Sequence, residues 1–499
     1  MSTGTQVMDG NRTTLERDAV GVGGIVFLVL AAAAPMAAVV GAMPVGVALG
    51  DGAGFPGSFL VAAIVLLLFA VGYAAMSRHV TNAGAFYSYV TRGLGRDLGS
   101  AAGYVALVAY NAMAIALSAA VGYFAHVTFQ SEFSINLPWA VWWLIAVAIV
   151  ALLAYREITL TARALGVALG CEVLILLVFD AAVLVNHGFH GFSTHDFSPS
   201  TVFSGAVGVA LTYAFASFVG FEATAIYGEE ARNPHRTVAR ATYIALAIIA
   251  VFYTLTTWAA VSSYGASHAQ AAAAKDPSSF VFAANLHEVG KFTTDVMQVL
   301  VVTSIFAGFL AFHQAASRYM FALSRDGLLP RQVGRVHPVH RSPFVASIIQ
   351  ILLVVLVVGL LGLAGEDPYL QISVPILGFG TLGVILLQAS ASVSVVAFFR
   401  RRQDPRAWTT LVAPALGSAG LTGSAILVCI NFGALTTSTS TLVKLLPWLY
   451  LLAAAVGGTV AIWLRRSRPH LYRQMAANHG VAEALGGLAP LEVSERLGV

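Results

Sequence analysis

Apolar runs of about 20 residues, each long enough to cross hydrocarbon as a helix, recur almost end to end along this chain. The pattern predicts twelve spans, at 20–49, 55–77, 99–128, 138–154, 160–185, 203–228, 240–263, 293–323, 344–364, 370–399, 409–432 and 445–464. Polar segments fall between them. Two connections on one side are longer, 186–202 and 264–292, while 78–97 on the other is amphipathic and predicted to lie at the interface. The expected organisation is a polar tail (1–18), a ten-helix core (19–402), two further helices (403–468) and a tail (469–499) containing a short helix. No cleavable signal peptide is expected, because residues 1–18 are polar and the first apolar run is too long for one.

Composition agrees with a bilayer as the solvent. Of 499 residues, 58% are hydrophobic and only 10% charged, with a mean hydropathy of +0.80. A soluble chain carries about a quarter of its residues as charges, so this one could not cover a wetted surface. The net charge of +4 does not indicate nucleic acid, because the basic residues sit in short loops without a basic face. Their placement sets orientation instead. One set of loops and both tails hold Arg78, Arg92, Arg96, Arg156, Arg232, Arg236, Arg325, Arg331 and Arg400 to Arg402, among others. The opposite set holds only Lys275, Lys291 and Lys444. The arginine side is expected to be the cytoplasm, with both termini there and the plasma (inner) membrane as the site. Cys171 and Cys429 fall inside apolar runs and are expected to be buried thiols.

Within a membrane, helix breakers and intramembrane charges carry the information, because both are costly in hydrocarbon. Pro35 interrupts the first span among small residues, removing a backbone donor near its middle. Span 6 carries Ser217, Gly220 and Glu222 near its own middle. Carriers built as inverted five-helix repeats keep their substrate between two discontinuous helices in corresponding positions. Spans 1 and 6 open two such halves. The half-helix N-terminus after the first break would attract a carboxylate, and freed carbonyls in both spans would accept from an ammonium. That combination fits an α-amino acid. Glu172 in span 5 and His313 in span 8 fall at similar depths, about 13 and 15 Å in at 1.5 Å per residue. As a pair bonded across helices they would form a proton relay. Glu222 is a third coupling candidate, and Asp180 is expected to be solvated near the outer end of span 5.

Residues around three of these spans resemble the amino acid–polyamine–organocation (APC) superfamily. NAGAFYSYVTRGLG at 82–95 is similar to its "P-E-A-G-G-x-Y-x-Y" stretch. ASFVGFE at 216–222 with GEEARNPHR at 228–236 looks like its sixth helix and the loop that follows. SRYMFALSRDGLLP at 317–330, continued by Val336-His337-Pro338 and Ser342-Pro343, looks like its eighth helix and exit. With the span count, the resemblance covers roughly residues 20–465. It implies an all-α polytopic membrane protein with a five-plus-five inverted repeat and discontinuous helices 1 and 6, working by alternating access. Carried over, the unwound segments fall at Ala33 to Ala37 and Ala216 to Phe221, and Phe312 at a middle gate. The expected substrate contacts are therefore Ala34, Pro35, Met36, Ala37, Ala216, Phe218, Val219, Gly220, Phe221 and Phe312. Glu222 matches an acidic proton-sensing position, and Glu172 falls near a coupling lysine of other members. The family's G-S-G break is replaced by Ala34-Pro35-Met36-Ala37, and an aromatic of one relative is Ala216 here.

The expectation is a secondary active permease importing amino acids, coupled to protons by symport, with no cofactor and no metal. Glu229, Glu230 and Arg325 are a candidate cytoplasmic gate. An exchanger or exporter, or a polyamine carrier, of the same fold is the alternative. A membrane-embedded enzyme would need a nucleophile or metal ligands clustered at one depth, and the spans supply neither. GFGTLG at 378–383 fits a dinucleotide pattern but lies in span 10 without a strand before it, so helix packing is the expected role. His187, His190, His195 and Asp196 form a loose outer-loop cluster read as solvated loop rather than metal site.

Overall fold

The computed structural model describes residues 21–77, 79–80, 85–156, 162–222, 234–340, 342–436 and 445–476. Span 1 divides into α1 (Val22–Ala32) and α2, a run of π-type and α-type turns (Ala37–Ala42, Met43–Gly46, Val47–Asp51). Next come α3 (Phe55–Met76), the amphipathic α4 (Ala85–Leu94), α5 (Arg96–Phe133), α6 (Trp139–Tyr155) and α7 (Ala162–His187). The second half holds α8 (Val207–Phe218), α9 (Pro234–Tyr264), two short outer helices α10 (Ala269–Lys275) and α11 (Phe280–Glu288), α12 (Lys291–Arg325), α13 (Phe344–Leu363) and α14 (Val374–Arg401). α15 (Ala413–Leu435), α16 (Leu449–Ser467) and α17 (Pro469–Gln474) close the chain. Eleven of the twelve expected spans match one helix or, for span 1, a pair of half-helices; of span 6 the described residues show only the first part, Val207–Phe218, and the start of a break. Among the described residues nine helical runs are long and apolar enough to cross a membrane, and Trp139–Tyr155 and Val207–Phe218 are shorter apolar helices.

The halves each contain an odd number of crossings, so the second runs through the bilayer opposite to the first. α5 is the central post, packed by α12, α14, α16, α6 and α4. Its sequence explains this: Gly103, Ala106, Ala109, Ala112 and Ala116 are buried and small, so neighbouring backbones approach closely. The GFGTLG run answers from α14. A Cβ on Gly380 would lie 2.8 Å from Met113 Sδ, and one on Gly383 would strike Ala109 at 2.6 Å. These glycines are a packing seam.

Two polar contacts tie the ends together. At one end of the bundle Glu288 accepts from Asn186 at 2.9 Å, His187 at 2.8 Å and Ser263 at 2.8 Å, joining α7, α9 and α11. His187, expected in a solvated loop, is thus a structural partner. At the other end residues 472–476 dock: Arg96 donates to the Arg473 carbonyl at 2.9 Å, Tyr472 to Asp97 at 2.9 Å, and the Ala476 N–H to Asp326 at 2.8 Å.

Three expectations are corrected. Cys171 and Cys429 are exposed on the outer surface of the bundle, because each lies on a helix face turned away from the core. Asp180 is not a freely solvated group; it accepts from Thr256 at 2.8 Å and its Oδ1 is buried. Asp196, in the outer loop, is only 1% exposed.

Burial favours the neutral acid at Glu288, but hydrogen bonds from Asn186, His187, Ser263 and His287 outweigh it and hold the carboxyl down at about 2. A lowered value means stability that is present above the ordinary 4.5 and lost as pH falls toward 2. Glu288→Gln is expected to cost on the order of 2 kcal/mol at neutral pH. Thermal unfolding of the purified protein should show that deficit shrinking as pH falls below 4.5; a deficit independent of pH would remove the charge from the explanation.

Candidate functional site

The first break begins at Ala33–Ala34, where Ala34 takes a left-handed φ of +46°. That conformation is strained for any residue with a Cβ, alanine included. Pro35 follows without an N–H, so α2 starts with backbone donors that α1 cannot satisfy. They find side chains from other helices. Met36 N–H donates to Glu172 Oε2 at 3.1 Å, and Ala37 N–H to Ser304 Oγ at 3.3 Å. Ser304 in turn donates to the same Glu172 oxygen at 2.8 Å. On the other side of the break, the Ala33 carbonyl accepts from Tyr253 at 3.2 Å. The half-helix N-terminus expected to attract a substrate carboxylate therefore already holds a carboxyl of the protein, brought by α7.

The second break follows α8. Val219 is extended (φ −61°, ψ 132°) and Gly220 takes φ +115°, which a side chain rarely tolerates. Here the acid is local: Gly220 N–H donates to Glu222 Oε2 at 2.9 Å. Tyr110 of α5 donates to Glu222 Oε1 at 2.8 Å, and Tyr73 of α3 to the Glu222 carbonyl at 2.8 Å. Glu222 is 2% exposed. A buried carboxyl with this many donors is satisfied rather than stranded. α8 packs on α2, so the two interrupted helices lie side by side.

Phe312 sits on α12 with its ring 6.1 Å from that of Tyr110, and Tyr110 lies 4.9 Å from Tyr319. Among the expected substrate contacts, Ala34, Pro35, Met36, Phe218, Val219, Gly220, Phe221 and Phe312 are buried, and Ala37 and Ala216 partly so. The arrangement offers an apolar lining with two carboxyls at its two breaks.

The pairing of Glu172 with His313 is not found. His313 Nδ1 contacts Gln350 Oε1 and its Nε2 lies 2.9 Å from Ser347 Oγ, both on α13. Ser304, the partner of Glu172, precedes His313 on α12 by nine residues, roughly 13 Å along the axis. Depth counted from separate helix ends missed this offset. His313 joins α12 to α13 and faces away from the breaks. Of the expected gate, Glu229 and Glu230 lie outside the described residues. Arg325 is exposed, with its guanidinium 5.9 Å from the Phe321 ring. Its neighbour Asp326 is the buried charge there, accepting from Tyr87 at 2.7 Å. Tyr73, Tyr110 and Ser304 were missed from sequence, since a hydroxyl inside an apolar run signals nothing until its partner is placed.

Interrupted helices side by side in an all-helical membrane bundle are the arrangement expected of a permease. The chain belongs to the amino acid permease family of the APC superfamily, whose sequence profile matches residues 22–486. It is similar to the branched-chain amino acid permease of Bacillus subtilis, at 28% identity over 80% of this chain and 84% of that protein. The methylthioribose transporter of the same organism is 28% identical over 61% of this chain and 67% of its own length. The low-affinity putrescine importer of Escherichia coli is 24% identical over 66% and 70% respectively.

Tyr110→Phe keeps the ring contacts and removes one donor from Glu222, and is expected to destabilise by about 2 kcal/mol. In a double-mutant cycle with Glu222→Met, which removes the acceptor, measured by thermal unfolding, the pair should couple by at least about 1 kcal/mol; additive losses would mean that the hydrogen bond contributes nothing specific.

Proposed function

We propose that the protein imports small amino acids across the plasma membrane by proton symport, with both termini in the cytoplasm. The observation that carries this reading is the pair of breaks at Ala33–Ala34 and Val219–Gly220, each with a carboxyl at its exposed backbone donors. Substrate backbone groups bind where the helices are open, at Ala34 to Ala37 and Ala216 to Phe221. Its side chain lies against Met36, Phe218, Val219 and Phe312, an apolar lining that suits a branched aliphatic substrate. The similarity to a branched-chain amino acid permease points the same way.

Glu172 is the coupling group in this reading. It bridges α7, α2 and α12 through one oxygen, so a change in its protonation alters how the second half of span 1 is held. Glu222 acts as the second proton-sensitive group, through Tyr110. A diamine such as putrescine would call for carboxylates free to meet two ammonium groups. The Glu222 oxygens are both engaged by Tyr110 and Gly220, which favours amino acids over polyamines.

Uptake into proteoliposomes decides between these. Labelled leucine, isoleucine or valine should accumulate, and an inward proton gradient should accelerate uptake about tenfold. Glu172→Gln should still bind substrate, read by thermal shift, but lose the acceleration. Gradient-insensitive uptake by the unaltered protein, or accumulation of putrescine in place of amino acids, would overturn the reading.

A further inference from the structure

Glu172 has a second environment on its other side. A crevice of about 430 Å³ lies among α5, α6, α7 and α12 and reaches the first break only at Pro35. None of Ala216 to Phe221, nor Phe312, lines it. It therefore adjoins the first break at Pro35 but shares no residue with the second break or with the gate position. Its mouth faces the bilayer: Ile145 and Ile149 on its rim are each 43% exposed on the membrane-facing side of α6. Small-molecule sites fall at roughly 300–1,000 Å³, so this space is large enough for a ligand.

The walls are almost wholly apolar, formed by Val121, Ala125, Phe129 and Trp142 on one side and by Ala168, Leu169, Phe306 and Ala307 on the other. The polar groups among its residues are four: Trp142, whose indole N–H is buried without a partner among the described residues, Thr303, Ser304 and Glu172. Thr303 donates to the Leu300 carbonyl at 2.9 Å, and Ser304 donates to Glu172. Glu172 is only 4% exposed. Its Oε2 accepts twice, from Met36 and Ser304, while its Oε1 has no hydrogen-bond partner among the described residues. An unpaired polar oxygen at the floor of an apolar cavity, within hydrocarbon, is a strong reason for a donor to bind there.

We propose that the crevice is a binding site for a lipophilic alcohol or amine that enters sideways from the bilayer. Its apolar body fills the space between α6 and α12, and its single hydrogen-bond donor meets Glu172 Oε1. An alkyl chain alone would leave that oxygen unpaired. A phospholipid would keep its polar head at the interface, about ten residues of α7 away, which is roughly 15 Å. The chemistry that fits is one donor on an apolar body small enough to sit at mid-depth. Because the bound donor engages the same carboxyl, such a ligand inhibits proton-driven uptake; this consequence alone rests on the role given to Glu172 above.

The test uses the full protein in liposomes with a photoactivatable diazirine alkanol, compared with the diazirine alkane of equal length. Adducts located by peptide mass spectrometry should concentrate on residues 142–149, 168–172 and 302–307, about tenfold more for the alkanol, as expected for one hydrogen bond in hydrocarbon. Unlabelled alkanol should compete. Ala307→Leu and, from the opposite wall, Ala168→Phe should each reduce that labelling about tenfold while leaving adducts elsewhere unchanged; two variants guard against one that fails to fold. Equal labelling by alkanol and alkane, or labelling indifferent to both filling substitutions, would overturn the proposal. Specific labelling without inhibition of uptake would leave the binding site standing and remove Glu172 from coupling.

Discussion

A helix that opens inside a membrane must settle the backbone donors it exposes, and most of this structure follows from how Met36 and Ala37 do so. Hydrocarbon offers them no partner. The N–H of Met36 is met by a carboxyl 136 residues away in sequence, and that of Ala37 by the Ser304 hydroxyl. Those two contacts fix the depths of α7 and α12 relative to the break. They also place an acid where the half-helix dipole stabilises negative charge. A break that needs two distant helices to complete it can exist only when the bundle is assembled, which links the local irregularity to the whole fold.

The two breaks are settled differently, and the difference bears on motion. At span 6 the capping acid is two residues from the donor it serves, so that break carries its own cap. Its ties to the rest run through two phenols, Tyr73 and Tyr110, from α3 and α5. At span 1 the cap belongs to other helices. Any displacement of α2 against α7 and α12 must stretch the Glu172 contacts, whereas a displacement of α8 leaves its own cap intact and stretches the Tyr73 and Tyr110 contacts instead. On the proposed mechanism, this asymmetry makes Glu172 the group whose protonation and helix position are most directly linked.

Most of the fold was legible because hydrocarbon imposes one rule on every span. Length and apolarity alone located the crossings, with ends displaced by a few residues where polar flanks such as Arg96, Ser131 and Lys291 are helical. The breaks were legible too, since proline at 35 removes a donor mid-span and glycine at 220 stands beside an intramembrane acid at 222, which the packing glycines of α14 do not. What the cap is made of was not. Glu172 could be recognised as unusual, but its partner could not be assigned from depth: counting from two helix ends put it level with His313. The structure offsets them and gives His313 to α13 instead. Serine and tyrosine hydroxyls were invisible for a related reason, because their partners are set by rotation about a helix axis, which an all-apolar run does not encode.

The same reasoning explains why an acid stands at 172. A lysine there would present donors to the Met36 N–H, itself a donor, and the break would be left unsatisfied. An acceptor is required by Met36 and Ser304 together, and glutamate supplies one whose affinity for those donors changes with its protonation. Gln would satisfy the geometry without that dependence. The replacement of paired glycines by Ala34-Pro35 fits the same requirement: proline removes one donor outright, leaving a smaller set for Glu172 and Ser304 to cap. Break and cap are thus one unit of design, in which the departure from the family's glycine pattern and the unusual acid explain each other.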